Sequence, residues 1–497
     1  MSVKTQNSRI IFGLKVKQLR VEHNLLSKEL AEQTGMSVSY LNEIEKGKKY
    51  PKPDKIQALA DTFNVSFEEL SSLELKRSLA PVGDLLHSNF LNELPLDLFG
   101  IELSKVVEII ANSPLRVGAF ISTLVELARN YALREENFYF GALRSYIELH
   151  NNYFEDIETA AAEFALDHEL SKQSLVPIES LENVLKQEYG YRIVKDGLSA
   201  HPELADLRTL FLPQKKKLLL NDGLSDVQMA FQYGKEIGFK VLKLKDRVHT
   251  SSLLRLESFE QVLSHYKASY FSSALLINRT SFVKDLQVFF QKKKWDGEAF
   301  VSLLHKYQSS PEMLYQRLTN VIPQFFGLEK IFFFRIVHLT QQDKFEIQKE
   351  MHLNRQHQPH GNGLHEHYCR RWLSVSLLKD LFHIQRSGKY VGTIVGAQRS
   401  RYFGSDDEYL CITLARPDAP AAGRNISVTI GLLINQESSS RIQFLNDPAI
   451  SKTEVNNTCE RCAIENCSER AVPAVVIEKR KARKQVQEAL KELVKNH

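Results

Sequence analysis

Hydrophobic positions near the N-terminus recur with the period of helices. Phe12, Val16 and Leu19 fall at i, i+4 and i+7 and mark one buried stripe. Leu30 and Ala31 face the core from a second helix, which Gly35 ends because glycine accepts the left-handed conformation that closes a helix. Ser37, a good N-cap, opens a third helix that buries Leu41 and Ile44 and leaves Ser39, Tyr40, Asn42 and Glu43 on its other face. Gly47 stops it. Pro53 suits the first turn of a fourth helix carrying Ile56, Leu59, Ala60 and Phe63, and Ser66 with Glu69 forms a capping box for a fifth. Two helices joined by a tight glycine turn inside a small helical bundle predict a helix-turn-helix over residues 10–72.

From about residue 80 to 325 the pattern is mostly helical, with runs such as Val106 to Ile110 and Ile157 to Phe164, and short strands are expected around Tyr191 to Val194 and Leu218 to Leu220. From Lys330 the texture turns to strand-like segments, Ile331 to Val337, Tyr390 to Val395, Tyr409 to Leu414 and Ile426 to Leu433, which predicts a third, sensory-sized domain over 326–474. Residues 475–497 return to a basic helix. The fold class that follows is multidomain: an all-α helix-turn-helix domain, a mostly α (α+β) middle domain and an α+β C-terminal domain.

Length agrees, because 497 residues exceed what one hydrophobic core organises. At 43% apolar and 25% charged residues the chain excludes disordered and coiled-coil classes, and its apolar runs are far too short to cross a bilayer. The first ten residues lack an apolar segment after their basic ones, so a cytoplasmic address without membrane partners is expected. The formal charge of +5 identifies no partner by itself, but it is unevenly spread: residues 1–80 carry a net of +3 and residues 478–497 a net of +4.

The third helix is the candidate reader of a DNA major groove. Ser37, Val38, Ser39, Tyr40, Asn42 and Glu43 are candidate base or groove-edge contacts, and Lys28, Lys46, Lys48 and Lys49 candidate phosphate contacts. Three of five cysteines crowd into Cys459, Cys462 and Cys467. Thiolates two residues apart can grip one metal or cluster edge, and Cys369, in Cys369-Arg370-Arg371-Trp372, is the natural fourth ligand, since Cys411 lies in an apolar strand pattern and reads as core. All-cysteine ligation suits an iron–sulfur cluster or, alternatively, zinc. His352, His357, His360, His365 and His367 read as an exposed loop that contributes at most one ligand, and the lysine triplets 215–217 and 292–294 as solvated faces.

Leu19-Arg20, Lys28-Glu29-Leu30-Ala31, Gly35, Ser39-Tyr40-Leu41, Ile44 to Lys48 and Pro51 resemble the Cro/C1 (XRE-type) repressor domain. Leu26-Ser27 departs from it, because the family usually has Ser or Thr followed by a phosphate-contacting Gln. Residues 231–239 resemble the zinc helix of ImmA/IrrE-type metallopeptidases, where two His at i and i+4 flank a catalytic Glu. Here the ligand positions are Lys235 and Phe239, only Glu236 remains, and His265 stands where the third-ligand helix would offer a Glu. The resemblance therefore implies a retained fold over 80–325 and a lost peptidase, not an enzyme.

With Phe333-Phe334-Arg335-Ile336, Cys369 to Trp372 and Cys459 through Pro473, the chain resembles the short-chain fatty-acyl regulators over nearly its whole length. That resemblance implies a transcriptional regulator of double-stranded DNA, a C-terminal half sensing an acyl-CoA effector, and an iron–sulfur cluster in some members. Paired half-site reading by the domain class implies a homodimer. Two other readings stay open: a zinc metallopeptidase-like protein that cleaves a partner repressor, and an antitoxin or phage-type repressor without a small ligand.

Overall fold

The computed structural model describes residues 3–72, 135–170, 175–253, 256–353, 366–389, 392–418 and 423–496. The chain divides into two compact units, Met1–Ala142 and Leu143–His497. The expected helix near Val106 to Ile110 lies outside the described residues.

The first unit holds α1 (Val3–Glu22), α2 (Ser27–Gln33), α3 (Val38–Glu45), α4 (Pro53–Phe63) and α5 (Phe67–Ser71). All five expected helices form, around a core of Phe12, Val16, Leu30, Leu41, Ile44, Leu59 and Phe63. The caps explain the boundaries. Ser37 Oγ accepts from the Tyr40 N–H at 3.1 Å, and Ser66 Oγ from the Glu69 N–H at 3.0 Å. Gly35 and Gly47, which follow α2 and α3, sit at φ +60° and +68°, where a side chain would be strained.

After α6 (Glu135–Leu149), the second unit continues with α7 (Glu155–Asp167), α8 (Ile178–Gln187), β1 (Arg192–Val194), β2 (Thr209–Leu212), β3 (Lys217–Leu220), α9 (Asp226–Val241) and α10 (Phe259–Leu276). The small sheet has order β1-β3-β2, with β1 parallel and β2 antiparallel to β3. Helices α9 and α10 lie side by side. Gly234 and Gly238 permit this, because a Cβ at either would press on Ser272 or Phe271 of α10. Farther on come α11 (Arg279–Phe290), α12 (Gly297–Lys306) and α13 (Pro311–Phe326). The fully buried Arg317 of α13 donates to Glu158 of α7 through both terminal nitrogens, and Tyr270 of α10 donates to the same carboxylate at 2.8 Å. A buried charge is tolerated when it is paired in this way.

The rest of the unit comprises β4 (Ile331–Leu339), β5 (Lys344–His352), α14 (Leu373–Arg386), β6 (Ile394–Tyr402), β7 (Glu408–Pro417), β8 (Arg424–Leu433), α15 (Gln436–Arg441), β9 (Ser451–Val455) and α16 (Val475–Asn496). Six strands form one sheet in the order β5-β4-β8-β7-β6-β9, antiparallel except for the β6–β9 pair. One face, with Phe333, Leu414, Val428 and Ile430, shares a core with α11 to α13. The other, with Phe332, Phe334, Ile336 and Tyr409, packs on α14 and holds Cys411, as the apolar pattern predicts. The strand expected at Tyr390 to Val395 instead begins at Ile394 and runs to Tyr402. Three strands, β2, β5 and β9, went unread. Among the described residues no helix is long and apolar enough to cross a membrane.

Candidate nucleic-acid interface and cysteine pocket

In the first unit α3 stands against α1 through a glycine. A Cβ on Gly13 would overlap the Ile44 carbonyl oxygen and lie 3.1 Å from the Glu45 oxygen. Beside this contact Arg20 grips Glu45 with a forked ion pair, Nε to Oε1 at 2.6 Å and Nη2 to Oε2 at 3.0 Å, and donates to the Leu25 carbonyl at 3.0 Å. The hydrogen bond to Glu45 raises the Arg20 pKa, so the guanidinium is locked in its charged form. The fork ties the end of α1 to the end of α3. Lys55 closes the turn by donating to the Gly35 carbonyl at 3.0 Å.

On that scaffold Ser37, Val38 and Ser39 are exposed, Tyr40, Asn42 and Glu43 half-buried, and Leu41 and Ile44 buried, the division that the sequence pattern predicts. Lys28, Lys46, Lys48 and Lys49 are all exposed. Lys49 pairs with Glu43 at 2.8 Å and lies 5.8 Å from the Tyr40 ring centre. Leu26 occupies the N-cap of α2, 67% exposed and unable to cap, and the Glu29 carboxylate accepts from its N–H at 2.7 Å. Gly13 and the Arg20–Glu45 fork are what sequence reading missed.

In the second unit Lys235 and Glu236 of α9 are buried, and Lys235 Nζ shares a hydrogen bond with His265 Nε2 of α10 at 2.5 Å. Desolvation carries the Lys235 pKa well below its ordinary value despite the Glu236 charge, and burial with the Lys235 cation does the same to His265. Glu236 is already taken: Arg247 meets it with two hydrogen bonds at 2.8 and 2.6 Å, and the Tyr191 hydroxyl donates to it at 3.0 Å. The Arg247 guanidinium also stacks on Phe239, 3.7 Å from the ring centre. Positions 235, 236, 239 and 265 therefore do come together, around cations of the chain itself. Arg247 was not foreseen, since it lies on a connecting segment without periodicity.

All four expected cysteine ligands line one pocket, together with Arg370, Arg371, Thr458, Ile464 and Arg470. Cys369, Cys459 and Cys462 are buried and Cys467 is half-buried, and all five cysteines of the chain are free thiols. Tyr368 forms a β-bridge with Thr458, and Cys459 N–H donates to His367 O at 2.8 Å, which fastens the two segments together. Arg470 donates to the carbonyls of Cys459 and Cys462 at 2.9 and 3.2 Å and to that of Ile464. Burial, reinforced by Cys459 and Cys462, pushes the Cys369 thiol up to about 11. The Ala471 N–H already points at the Cys459 sulfur, 3.4 Å away. Among the described residues no set of three or more His, Cys, Asp or Glu side chains is close enough to hold a metal ion as arranged. His367 pairs with Glu460 at 2.8 Å, whereas His357, His360 and His365 lie outside the described residues.

The N-terminal bundle, with its exposed and capped third helix and the lysines behind it, has the arrangement of a helix-turn-helix domain. The helix-turn-helix family model matches residues 16–70. Over 128 residues the chain is 27% identical to the propionyl-CoA carboxylase regulator of Cereibacter sphaeroides, a match spanning 26% of each protein. A solved Mycobacterium tuberculosis transcriptional regulator aligns with 67% of this chain and 93% of its own, at 17% identity and a TM-score of 0.47.

Proposed function

We propose that the protein is a sequence-specific regulator of the Cro/C1 type, acting as a homodimer, whose second unit answers to a short-chain acyl-CoA. The observation that carries the operator reading is α3 itself, which offers Ser39, Tyr40 and Asn42 outward while Arg20, Glu45 and Gly13 fix its pose. The effector reading draws on the relative named as a propionyl-CoA carboxylase regulator, together with the family resemblance. The middle region belongs in this reading to an ImmA/IrrE-like fold without hydrolytic activity: Lys235 and Phe239 offer no ligand pair, and Glu236 is held by Arg247 rather than free to activate water.

The cysteine pocket fits a thiolate-bound centre. It gathers four sulfurs, surrounds them with backbone and arginine donors, and aims one N–H at a sulfur, as iron–sulfur and zinc sites do. Cys369, Cys459, Cys462 and Cys467 would hold the group, an iron–sulfur cluster or alternatively zinc, whose contribution would be to cross-link two distant segments. Genome-wide occupancy mapping, followed by operator binding with and without propionyl-CoA, tests the function. Deleting residues 1–72 should abolish operator binding, and unchanged affinity would refute it.

A further inference from the structure

Helix α16 carries an apolar stripe left open to solvent. Every described side chain from Glu478 to Lys495 is exposed, and Val486, Leu490 and Leu493 are 60%, 56% and 58% accessible, with Val475 and Val494 exposed beside them. A helix in water draws most of its stability from packing an amphipathic face, so 22 residues that keep such a face imply something to pack it against. The stripe is turned away from the body of its own chain. Lys481, on the other side of the helix, is the residue that reaches back, to Glu465 at 3.6 Å.

The spacing of the stripe is that of a coiled-coil seam. Val475, Lys479, Ala482, Val486, Ala489 and Leu493 are separated alternately by four and three residues and take positions d, a, d, a, d and a of a heptad. A single lysine at a costs stability but specifies oligomeric state, because its ammonium must reach water past the seam, which two strands allow. Beside the seam, Glu478, Gln485 and Glu492 fall at g, and Val476, Arg483 and Leu490 at e. In a parallel pair each g faces the e five residues further along the other helix, which sets Glu478 against Arg483 of the partner subunit, twice by symmetry. An antiparallel pair would set g against g, glutamates among glutamates. Charge therefore selects the parallel arrangement, and pairing about a twofold axis is also the symmetry that two half-sites read by paired domains require.

We infer that the stripe on α16 is the docking surface for α16 of a second copy of this chain, in a parallel two-stranded coiled coil. The inference deepens the homodimer reading and rests on it.

Sedimentation equilibrium of the full-length protein gives the dimer dissociation constant. Val486→Glu combined with Leu493→Glu, which places acids in the seam, should raise it about tenfold or more, and Lys479→Leu, which takes the one charge out of the seam, should lower it. Glu478→Arg and Arg483→Glu should each weaken the dimer, and the two together should restore it. Such rescue can arise only between helices, since residues five apart on one helix do not face each other. A wild type that stays monomeric overturns this inference together with the homodimer reading. A dimer that the seam variants leave intact overturns the inference alone, as does a charge exchange without rescue. Seam variants that keep the dimer but lose affinity for non-specific DNA would assign the helix to nucleic acid and overturn it as well.

Discussion

Lys235 Nζ and His265 Nε2 share a hydrogen bond across 2.5 Å of buried space. Both groups hold their protons less tightly in the folded chain than in the unfolded one. The sign follows directly. Below the ordinary lysine value of 10.5 the unfolded chain binds a proton that folded Lys235 resists, and below 6.5 the same holds for His265. Stability therefore falls as pH drops through these windows, by up to about 1.4 kcal/mol per pH unit for each proton. Lys235→Met should raise the unfolding midpoint of the second unit at pH 7 and flatten its rise toward pH 10. Chemical denaturation at several pH values measures this, and an unchanged slope would show that Lys235 is charged where it lies.

Asn42→Ala should weaken operator binding by about 1–3 kcal/mol while sparing non-specific DNA. Lys48→Ala should weaken both alike and reduce the salt dependence by about one counterion. Competition binding across a salt series separates the two effects.

Gly13→Ala is expected to push α3 away from α1, because the new methyl group meets the backbone carbonyl of Ile44 rather than a side chain that could turn aside. A loss of about 1–3 kcal/mol or more should follow, with operator affinity falling in parallel. Ala31→Gly, which removes a buried methyl without touching that contact, should lower stability yet leave binding by the folded fraction intact.

Purified anaerobically, the protein should carry one iron–sulfur cluster, or failing that one zinc, and Cys462→Ser should abolish it. Cys411→Ser should not, because Cys411 is enclosed in the sheet core with its thiol raised to about 12 by burial. Visible absorbance and metal analysis decide the outcome. Removing the metal should also lower the thermal midpoint, since ligation closes a loop of roughly ninety residues.

Restoring histidines at positions 235 and 239 together should give weak zinc binding at best while Arg247 remains, since Glu236 and the space above residue 239 are already occupied. Adding Arg247→Ala should raise zinc affinity markedly. If the double variant alone bound zinc tightly, α9 would be positioned differently from what its hydrogen bonds imply.

Legibility in the sequence followed the range of the interactions. The helices of residues 10–72 are written in short-range signals, periodic apolar residues and Ser or Gly at the ends, and they appear where those signals place them. Strand β5, Lys-Phe-Glu-Ile-Gln-Lys-Glu-Met-His, and β9, Ser-Lys-Thr-Glu-Val, were missed because they form the two edges of the sheet, where among the described side chains only Val455 is buried and apolar runs are not required. Position 235 could be singled out from its helix, but its environment could not. Arg247, Arg208 and Lys349 reach it from three separate segments, and no spacing connects them.

One tie made by the cysteine segment has a mechanical side. Val476 N–H donates to the Glu460 carbonyl at 3.1 Å, so α16 starts from the strand of chain that carries Cys459 and Cys462. The helix then runs for 22 residues with nearly every side chain in solvent, a rod of about 33 Å clamped at one end. A rod of that kind works as a pointer. A rotation of about 10° at the Cys459–Cys462 turn would sweep its tip through roughly 6 Å, carrying Lys491 by about 4 Å and Lys495 by about 5 Å.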